Sequence, residues 1–219
     1  MGAPVVQLEN EGSCTISACT GCTEAQHRLA YERVHGWGSF PCRARVPPTH
    51  LKLECLKRKV WDPVDGAWTP QIFKVIMDIG GIPTTRSTKG VRLNIHGYTV
   101  YDVPRALTPE EAATLLYMRG PFVSVLWANA EYEDYDDTSN TVYRGFIPSG
   151  VTGSGSASGT SSEGLHAVIS FDYTFVETEL WIQIMDSHTE VGPYRMILYE
   201  AFVYFILPRV DKAIELPKQ

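Results

Sequence analysis

The sequence has no apolar run approaching the roughly 18 residues that a membrane-spanning helix needs. Residues 1–12 lack the basic start and apolar centre of a signal peptide, so the chain as given is expected to be cytoplasmic. Basic charge is also in short supply. The 19 Lys and Arg against 25 Asp and Glu give a net charge of −6, which provides no field to concentrate nucleic acid. We therefore expect neither a membrane nor a nucleic-acid partner.

Cysteine is scarce and confined to about the first quarter of the 219 residues. The five cysteines are Cys14, Cys19, Cys22, Cys42 and Cys55. Their odd number, and the lack of any Asn-x-Ser/Thr sequon, favour a reducing compartment. Cys19 and Cys22 have the spacing of a redox or metal pair, yet both lie in a predicted helix with no second such pair, so core packing is the better interpretation. The sequence predicts no metal and no cofactor.

What the sequence does contain is a change of pattern at Gly120. Before it, apolar spacing and end signals predict helices over residues 16–34, 69–80 and 108–120. After it, β-branched and aromatic residues predict strands at residues 122–127, 141–147, 166–175, 180–185 and 194–207. Helices followed by strands indicate the α+β class.

Two of the predicted helices carry particularly clear signals. The first has an apolar line at Ala18, Cys22, Ala25 and Leu29, which fits one face of a helix capped at Ser13 or Thr15. The third opens on Thr108-Pro109-Glu110-Glu111, which joins a cap, a first-turn proline and a capping-box glutamate.

Two segments of the strand half do not fit strands. Residues 151–164 are rich in Gly and Ser, a composition typical of a flexible loop. The acidic run from Glu131 to Asp137 has two interpretations, a docking patch for a basic protein partner or a solvated acidic loop.

Three blocks of the strand half carry a resemblance to a known family. They read Gly164-Leu-His166-Ala-Val-Ile-Ser-Phe, then Leu180-Trp-Ile-Gln-Ile-Met-Asp186-Ser-His188, then Gly192-Pro-Tyr194-Arg-Met-Ile. In this order and near this spacing they resemble the second half of the papain-like cysteine peptidases. In that family a His-Ala-Val strand, a Trp-Ile…Asn-Ser-Trp strand end and Gly-Tyr-x-Arg-Ile follow one another.

Motifs in the first half resemble the same family. Asn10-Glu11-Gly12-Ser-Cys14 is similar to the family's Asn-Gln-Gly-Ser-Cys, and Gly120-Pro-Phe-Val-Ser-Val is similar to its Gly-Pro-Val-Ser-Val. The resemblance covers nearly all the chain. It implies a papain-like fold with a helical left lobe over residues 1–100, an antiparallel β-barrel right lobe over residues 101–219, and a cleft between them.

In this family the nucleophile is a thiolate at the N-terminus of the first long helix, where the helix dipole and an imidazolium lower its pKa. Two registers fit. With three residues deleted, Cys14 takes that position; with none deleted, Ser17 does, and Cys14 matches a structural half-cystine. We favour the first, because Ala18, Gly21 and Glu24 then fall on helix positions where the family tends to have Ala, Gly and Glu. His166 follows Cys14 by 152 residues, close to the family's roughly 130 to 150. Cys19 would serve only with a two-residue insertion.

The resemblance also assigns an orienting partner to His166, the candidate base. Asp186 best matches the family's asparagine if one residue is inserted, and without the insertion the position falls on Met185. An aspartate holds a histidine in one tautomer in serine hydrolases, so Asp186 suits the role.

Other supporting groups of the family have changed. The glutamine of the oxyanion hole is Glu11 here, and a carboxylate that repels a developing oxyanion is expected to lower the rate by about 10² to 10³. One family tryptophan is replaced by Thr15 or Ala18, and the one beside the histidine pair by His188. Asp62 stands where the family has a disulfide cysteine.

These losses lead to two hypotheses for the function. The first is a non-catalytic pseudo-protease that binds a peptide or protein ligand, in the inter-lobe cleft or at the acidic loop. The alternative is a weak cysteine endopeptidase that uses Cys14, His166 and Asp186. If a leader and a family-type pro-segment were removed from the chain, a secreted or vacuolar location is expected instead of a cytoplasmic one.

Overall fold

The structure, a computed structural model, describes residues 12–41, 45–85, 90–103, 105–135, 141–146, 164–187 and 193–215. Its helices are α1 (Cys14–His35), α2 (Pro48–Lys57), α3 (Thr69–Asp78), α4 (Pro109–Arg119) and the short α5 (Ala130–Asp134). Its strands are β1 (Ile82–Pro83), β2 (Arg92–Leu93), β3 (Gly97–Asp102), β4 (Phe122–Ala128), β5 (Gly164–Val176), β6 (Glu179–Met185), β7 (Tyr194–Leu198) and β8 (Phe202–Arg209). This mixture of helices and antiparallel strands confirms the α+β class.

The long helix α1 lies between the other helices and the sheet. It begins at Cys14, directly after the N-cap Ser13, and buries the predicted apolar line of Ala18, Cys22, Ala25 and Leu29. Gly21 faces β5, where a Cβ atom on it would lie 2.7 Å from Cδ1 of Ile169. A glycine at this position therefore lets α1 approach β5 without displacing Ile169.

The end signals of the later helices are also confirmed. In α4, Oγ1 of Thr108 accepts a hydrogen bond from the Glu111 N–H, and the Glu111 carboxylate accepts one from the Thr108 N–H, which completes the capping box. Pro70 lies in the first turn of α3, and the N–H of Gly81 donates to the Ile76 carbonyl beyond its end. Helix α2 was not predicted, although Pro48 at its start is a typical first-turn residue.

Six strands form one antiparallel sheet in the order β3-β8-β4-β5-β6-β7. The predicted strands at 122–127, 166–175 and 180–185 correspond to β4, β5 and β6. The prediction of one strand over 194–207 is wrong, because the chain must leave β7 at the edge and cross to β8, which lies between β3 and β4. A short 3-10 turn at Tyr199–Ala201 makes this change. Of the predicted strand at 141–147, the described residues contribute one parallel bridge, from Tyr143 to Ile197.

The described strands form an open sheet with β3 and β7 at its edges, so hydrogen bonds between these strands do not close a barrel. The division into lobes at residues 100 and 101 stays a prediction, and β3 runs across that point. Most of the predicted Gly/Ser loop, residues 151–163, lies outside the described residues.

The sheet is covered on both faces, so neighbouring residues of β4 and β5 are buried in different cores. Val125, Ala167 and Ile169 belong to a core shared with α1, α2 and α3. Phe122 and Val168 belong to a second core, which includes residues of α4. The first core joins the helices to the sheet and packs α1 against β5.

Candidate active site

The thiol of Cys14 lies on the first residue of α1. A helix N-terminus presents unpaired backbone N–H groups and the positive end of the helix dipole, both of which favour a thiolate. Two residues earlier, Gly12 has a φ of +69°, and a Cβ on it would lie 2.4 Å from the Pro63 carbonyl oxygen. The Gly12 carbonyl also accepts a hydrogen bond from Nε1 of Trp61 at 2.9 Å. These contacts fix the path of the chain into the helix.

The segment around Asp62 forms the wall beside Cys14. Oδ1 of Asp62 accepts hydrogen bonds from the N–H groups of Val64 and Asp65, at 2.8 and 3.2 Å, and the backbones of Asp62 and Gly66 form an antiparallel bridge. Oγ1 of Thr15 donates to the Ala67 carbonyl at 3.2 Å. Hydrogen bonds accepted by the Asp62 carboxylate therefore stabilise this turn, at the position where the resemblance implied a lost disulfide cysteine.

His166, near the start of β5, contacts both of the other candidate residues. Its Nε2 lies 2.9 Å from Oδ1 of Asp186, and its side chain also forms a hydrogen bond with Cys14. Burial acts to lower the pKa of His166, but the charge of Asp186 and the hydrogen bonds of Asp186 and Cys14 outweigh it. The pKa of His166 is therefore well above its usual value, which favours the imidazolium.

Asp186 follows the last residue of β6 and is fully buried, with no exposed surface. Its two carboxylate oxygens have different partners. Oδ1 contacts His166, and Oδ2 accepts a hydrogen bond from the Tyr132 hydroxyl at 2.6 Å and lies 3.9 Å from Nη1 of Arg195. Its backbone N–H donates to the Pro193 carbonyl at 2.7 Å. The carboxylate is thus held by hydrogen bonds and two potential positive charges.

Tyr132 is a site residue that the sequence interpretation missed. It lies on α5, inside the acidic run that was interpreted as a docking patch or a solvated loop, yet it is only 2% exposed. Burial and the neighbouring Asp186 raise its pKa well above the usual value, so the hydroxyl stays protonated and donates to the carboxylate. The available signal was an aromatic residue among acidic ones. The docking role of Glu131 to Asp137 stays a prediction, and Asp136 and Asp137 lie outside the described residues.

The remaining candidates lie elsewhere or outside the described chain. Ser17, the alternative nucleophile position, is half-buried in the first turn of α1, where its N–H donates to the Ser13 carbonyl. Met185, the alternative to Asp186, packs in the core. Glu11 and His188 lie outside the described residues. The structure therefore brings together Cys14, His166 and Asp186.

A cleft of about 680 Å³ opens at Cys14. One wall comes from the start of α1 and the segment that leads into α3, and the other from β4, β5 and β8. Its lining residues are Gly12, Cys14, Thr15, Val64, Asp65, Gly66, Ala67, Trp68, Thr69, Val125, Trp127, Gly164, Leu165, Ala167 and Tyr204. Trp68 and Leu165 are exposed, so the cleft offers apolar surface next to the thiol.

Other predicted features can be compared with the described residues. Cys19 and Cys22 lie in the core, as predicted, and burial raises the pKa of both thiols. Within the described ranges no group of three His, Cys, Asp or Glu side chains is arranged to hold a metal ion. None of the helices in the described part of the chain is long and apolar enough to cross a membrane.

Comparison with known proteins gives matches among solved structures. No protein-family model matches the sequence, and no curated protein does. The chain is similar to digestive procathepsin L2 proteinase from Tenebrio molitor larval midgut, with a TM-score of 0.63 and 18% identity over 94% of this chain and 65% of that one. It is also similar to procathepsin B S9 from Trypanosoma congolense, with a TM-score of 0.60 and 14% identity over 93% of this chain and 72% of that one.

These neighbours define the fold. The protein has the papain-like α+β fold. It spans slightly less than two thirds of the length of the first neighbour, a proenzyme.

Proposed function

We propose that the protein is a slow papain-like cysteine endopeptidase, with Cys14 as nucleophile, His166 as acid and base, and Asp186 as the anion that orients His166. The observation that supports this most is the double contact of His166, which hydrogen-bonds to Cys14 and, through Nε2, to Asp186. A nucleophile, a base and an orienting group in this order are the parts of a catalytic triad.

The chemistry follows the order of the contacts. The Cys14 thiolate attacks the carbonyl carbon of a peptide bond in the cleft, and the carbonyl oxygen becomes an oxyanion near the N-terminus of α1. His166 then gives its proton to the leaving amine as the C–N bond breaks, which leaves a thioester on Cys14. Water attacks the thioester while His166 accepts its proton, and the acid product and the thiol are released.

Asp186 makes His166 suitable for both steps. Because Nε2 is engaged by Oδ1 of Asp186, Nδ1 is the nitrogen available to exchange a proton with the thiol. The buried carboxylate also stabilises the imidazolium, which raises the pKa of His166. The proton therefore stays on His166 until the amine leaves.

Glu11 is the reason to expect a slow enzyme. The sequence resemblance aligns Glu11 with the family's oxyanion glutamine. A carboxylate in that role would repel the charge that develops on the carbonyl oxygen, and the loss of one donor lowers the rate by about 10² to 10³. We therefore expect Glu11→Gln to raise the hydrolysis rate by about 10².

Labelling with iodoacetate tests the pair of Cys14 and His166. The protein is reacted under native conditions and the labelled peptides are quantified by mass spectrometry, with the buried Cys22 as an internal reference. Because Cys22 has no exposed surface, we expect it to stay unlabelled while the core is intact. We expect Cys14 to react at least about tenfold faster in the parent than in His166→Ala, because the thiolate is the reactive form. Hydrolysis of a fluorogenic peptide library by Glu11→Gln, absent in Glu11→Gln/Cys14→Ala, completes the test.

A non-catalytic pseudo-protease is the second candidate function, favoured by the replacement of the oxyanion glutamine and both family tryptophans. It predicts that Cys14→Ala binds peptides in the cleft, or a basic protein at the acidic loop. Slow Cys14 labelling that is indifferent to His166, together with no hydrolysis by Glu11→Gln, would reject the endopeptidase and leave this candidate. The cytoplasmic and the secreted or vacuolar locations both stay predictions.

A further inference from the structure

We propose that Tyr132 is a positioning residue of the site, whose hydroxyl holds the ionised carboxylate of Asp186 in the orientation that aligns His166 with Cys14. This inference rests on the proposed endopeptidase function. It identifies four side chains in a row, Tyr132, Asp186, His166 and Cys14, where the triad has three.

The two oxygens of Asp186 show how the hydroxyl would act. Oδ1 lies 2.9 Å from His166, while Oδ2 accepts the Tyr132 hydroxyl proton at 2.6 Å. A carboxylate held at one oxygen can still rotate about its Cβ–Cγ bond, but one held at both oxygens is fixed in its plane. The hydrogen bond from Tyr132 therefore sets the direction from which Oδ1 meets the imidazole.

The burial of Asp186 makes this partner necessary. An ionised carboxylate with no exposed surface is unstable unless its oxygens are hydrogen-bonded or paired with charge. The titratable and charged groups that face it are His166, Tyr132 and Arg195, with Cys14 beyond His166. Nη1 of Arg195 is 3.9 Å from Oδ2, farther than a hydrogen bond, so of these two groups Tyr132 is the one that donates directly to that oxygen.

Tyr132 is itself firmly held. The guanidinium of Arg195 lies over its ring, with Cζ 4.7 Å from the centroid, and Nη1 of Arg195 donates a hydrogen bond to the Tyr132 carbonyl. The ring of Tyr143 packs edge-on against it at 5.1 Å, and the Asn129 side chain caps the Tyr132 N–H. Because ring and backbone are fixed by contacts that do not involve the hydroxyl, replacing tyrosine by phenylalanine removes the hydroxyl alone.

The chain offers a matched control in Tyr143. It belongs to the same buried aromatic cluster, but its hydroxyl donates to Oδ1 of Asn129 at 3.1 Å and does not contact Asp186. Tyr132→Phe and Tyr143→Phe therefore each remove one buried tyrosine hydroxyl from one cluster, and only the first removes a donor to the carboxylate.

The test compares these two variants in the Glu11→Gln background, where hydrolysis is fast enough to measure. We expect Tyr132→Phe to lower kcat about tenfold with KM within about twofold, because supporting partners of this kind typically contribute 10- to 100-fold. We expect Tyr143→Phe to leave kcat within about twofold. Both variants are first compared with the parent by thermal unfolding, so that any loss of stability is measured separately.

The pH dependence of Cys14 labelling is a second measurement, which a purely structural role of Tyr132 would leave unchanged. Iodoacetate is an anion, so its reaction with Cys14 is fastest while His166 carries a positive charge. Without the hydroxyl, the charge of Asp186 is less well held beside His166, and we expect the alkaline fall of the labelling rate to move to lower pH in Tyr132→Phe. An unchanged profile with unchanged kcat would overturn the proposal.

A double substitution decides whether Tyr132 acts through Asp186. In the Asp186→Ala background the acceptor of the Tyr132 hydroxyl at this position is gone, so Tyr132→Phe should lower kcat by less than about twofold further. A full tenfold loss in that background would contradict the proposal, since the two effects would then be independent. If the Glu11→Gln parent neither hydrolyses peptides nor labels rapidly at Cys14, the endopeptidase function itself fails, a result distinct from an active parent that is indifferent to Tyr132.

Discussion

Two histidines of this molecule, His27 on α1 and His166 on β5, are both largely buried, yet their pKa values move in opposite directions. Burial lowers the pKa of His27 to about 4, with the hydrogen bond to the Asn94 carbonyl opposing it and His96 adding to it. Burial also acts against the charged form of His166, but Asp186 and Cys14 overcome it and raise the pKa. Burial alone therefore does not decide the charge of a histidine in this fold.

The partners explain the difference. Nε2 of His27 is 2.6 Å from the Asn94 carbonyl oxygen, a neutral group, and its Nδ1 has no hydrogen-bond partner among the described residues. Nε2 of His166 meets a carboxylate whose other oxygen is held by Tyr132. In a buried site, a neighbouring anion stabilises an imidazolium far more than a carbonyl dipole does. A buried histidine becomes a candidate acid and base when its partner carries a charge.

The largest expected effect comes from giving His166 a neutral partner in place of the Asp186 carboxylate, because His27 has a neutral partner. Asp186→Asn keeps a hydrogen-bonding oxygen but removes the charge, so that His166 has an uncharged partner as His27 does, and we expect the pKa of His166 to fall below its ordinary value. NMR titration of the histidine rings measures the pKa, with His27 as the internal control that should not move. A His166 pKa unchanged by the substitution would refute the argument.

A smaller effect is expected on stability in acid. Between about pH 6.5 and 4 the unfolded chain protonates His27 while the folded protein does not, so the free energy of unfolding falls as pH falls through this window. This contribution amounts to about 3 kcal/mol. We expect His27→Gln, which can still donate to the Asn94 carbonyl, to lose this part of the pH dependence. Urea unfolding at pH 7 and pH 4 measures it, and equal slopes in both proteins would show that His27 is not the cause.

The smallest effect comes from giving His27 an anionic neighbour. Oδ1 of Asn94 is buried without a hydrogen-bond partner, on the residue whose carbonyl contacts His27. We expect Asn94→Asp to raise the pKa of His27 by about one unit or more, while Asn94→Leu, an uncharged control, leaves it low. NMR titration distinguishes the two, and an equal pKa in both variants would show that the neighbouring charge does not control His27.

Much of the fold was predictable from the sequence, because ordered motifs such as His166-Ala-Val and Gly120-Pro-Phe-Val-Ser-Val also mark elements of the structure. The sequence alone left the position of the candidate nucleophile open. Gly-Ser-Cys occurs once, and two registers fit the family. Cys14 lies at the start of α1 in contact with His166, and its role as nucleophile stays a prediction.

Tyr132 was out of reach of sequence reasoning for a physical reason. Its hydroxyl contacts a carboxylate 54 residues away along the chain. The local signal, an aromatic residue among acidic ones, does not indicate which residue it contacts. The break between β7 and β8 was missed for a similar reason. It depends on where the strands lie in the sheet, which local apolar patterns do not specify.

The close approach of α1 to β5 at Gly21 has a mechanical consequence. Gly21, on the helix that carries Cys14, packs against Ile169, on the strand that carries His166. Ile169 belongs to the core that joins the helices to the sheet. We therefore expect the cleft to behave as a rigid slot, in which the thiol and the imidazole keep their distance. We expect a bound peptide to adapt its own shape to this slot, and heat to inactivate the site only at the temperature at which the whole core melts.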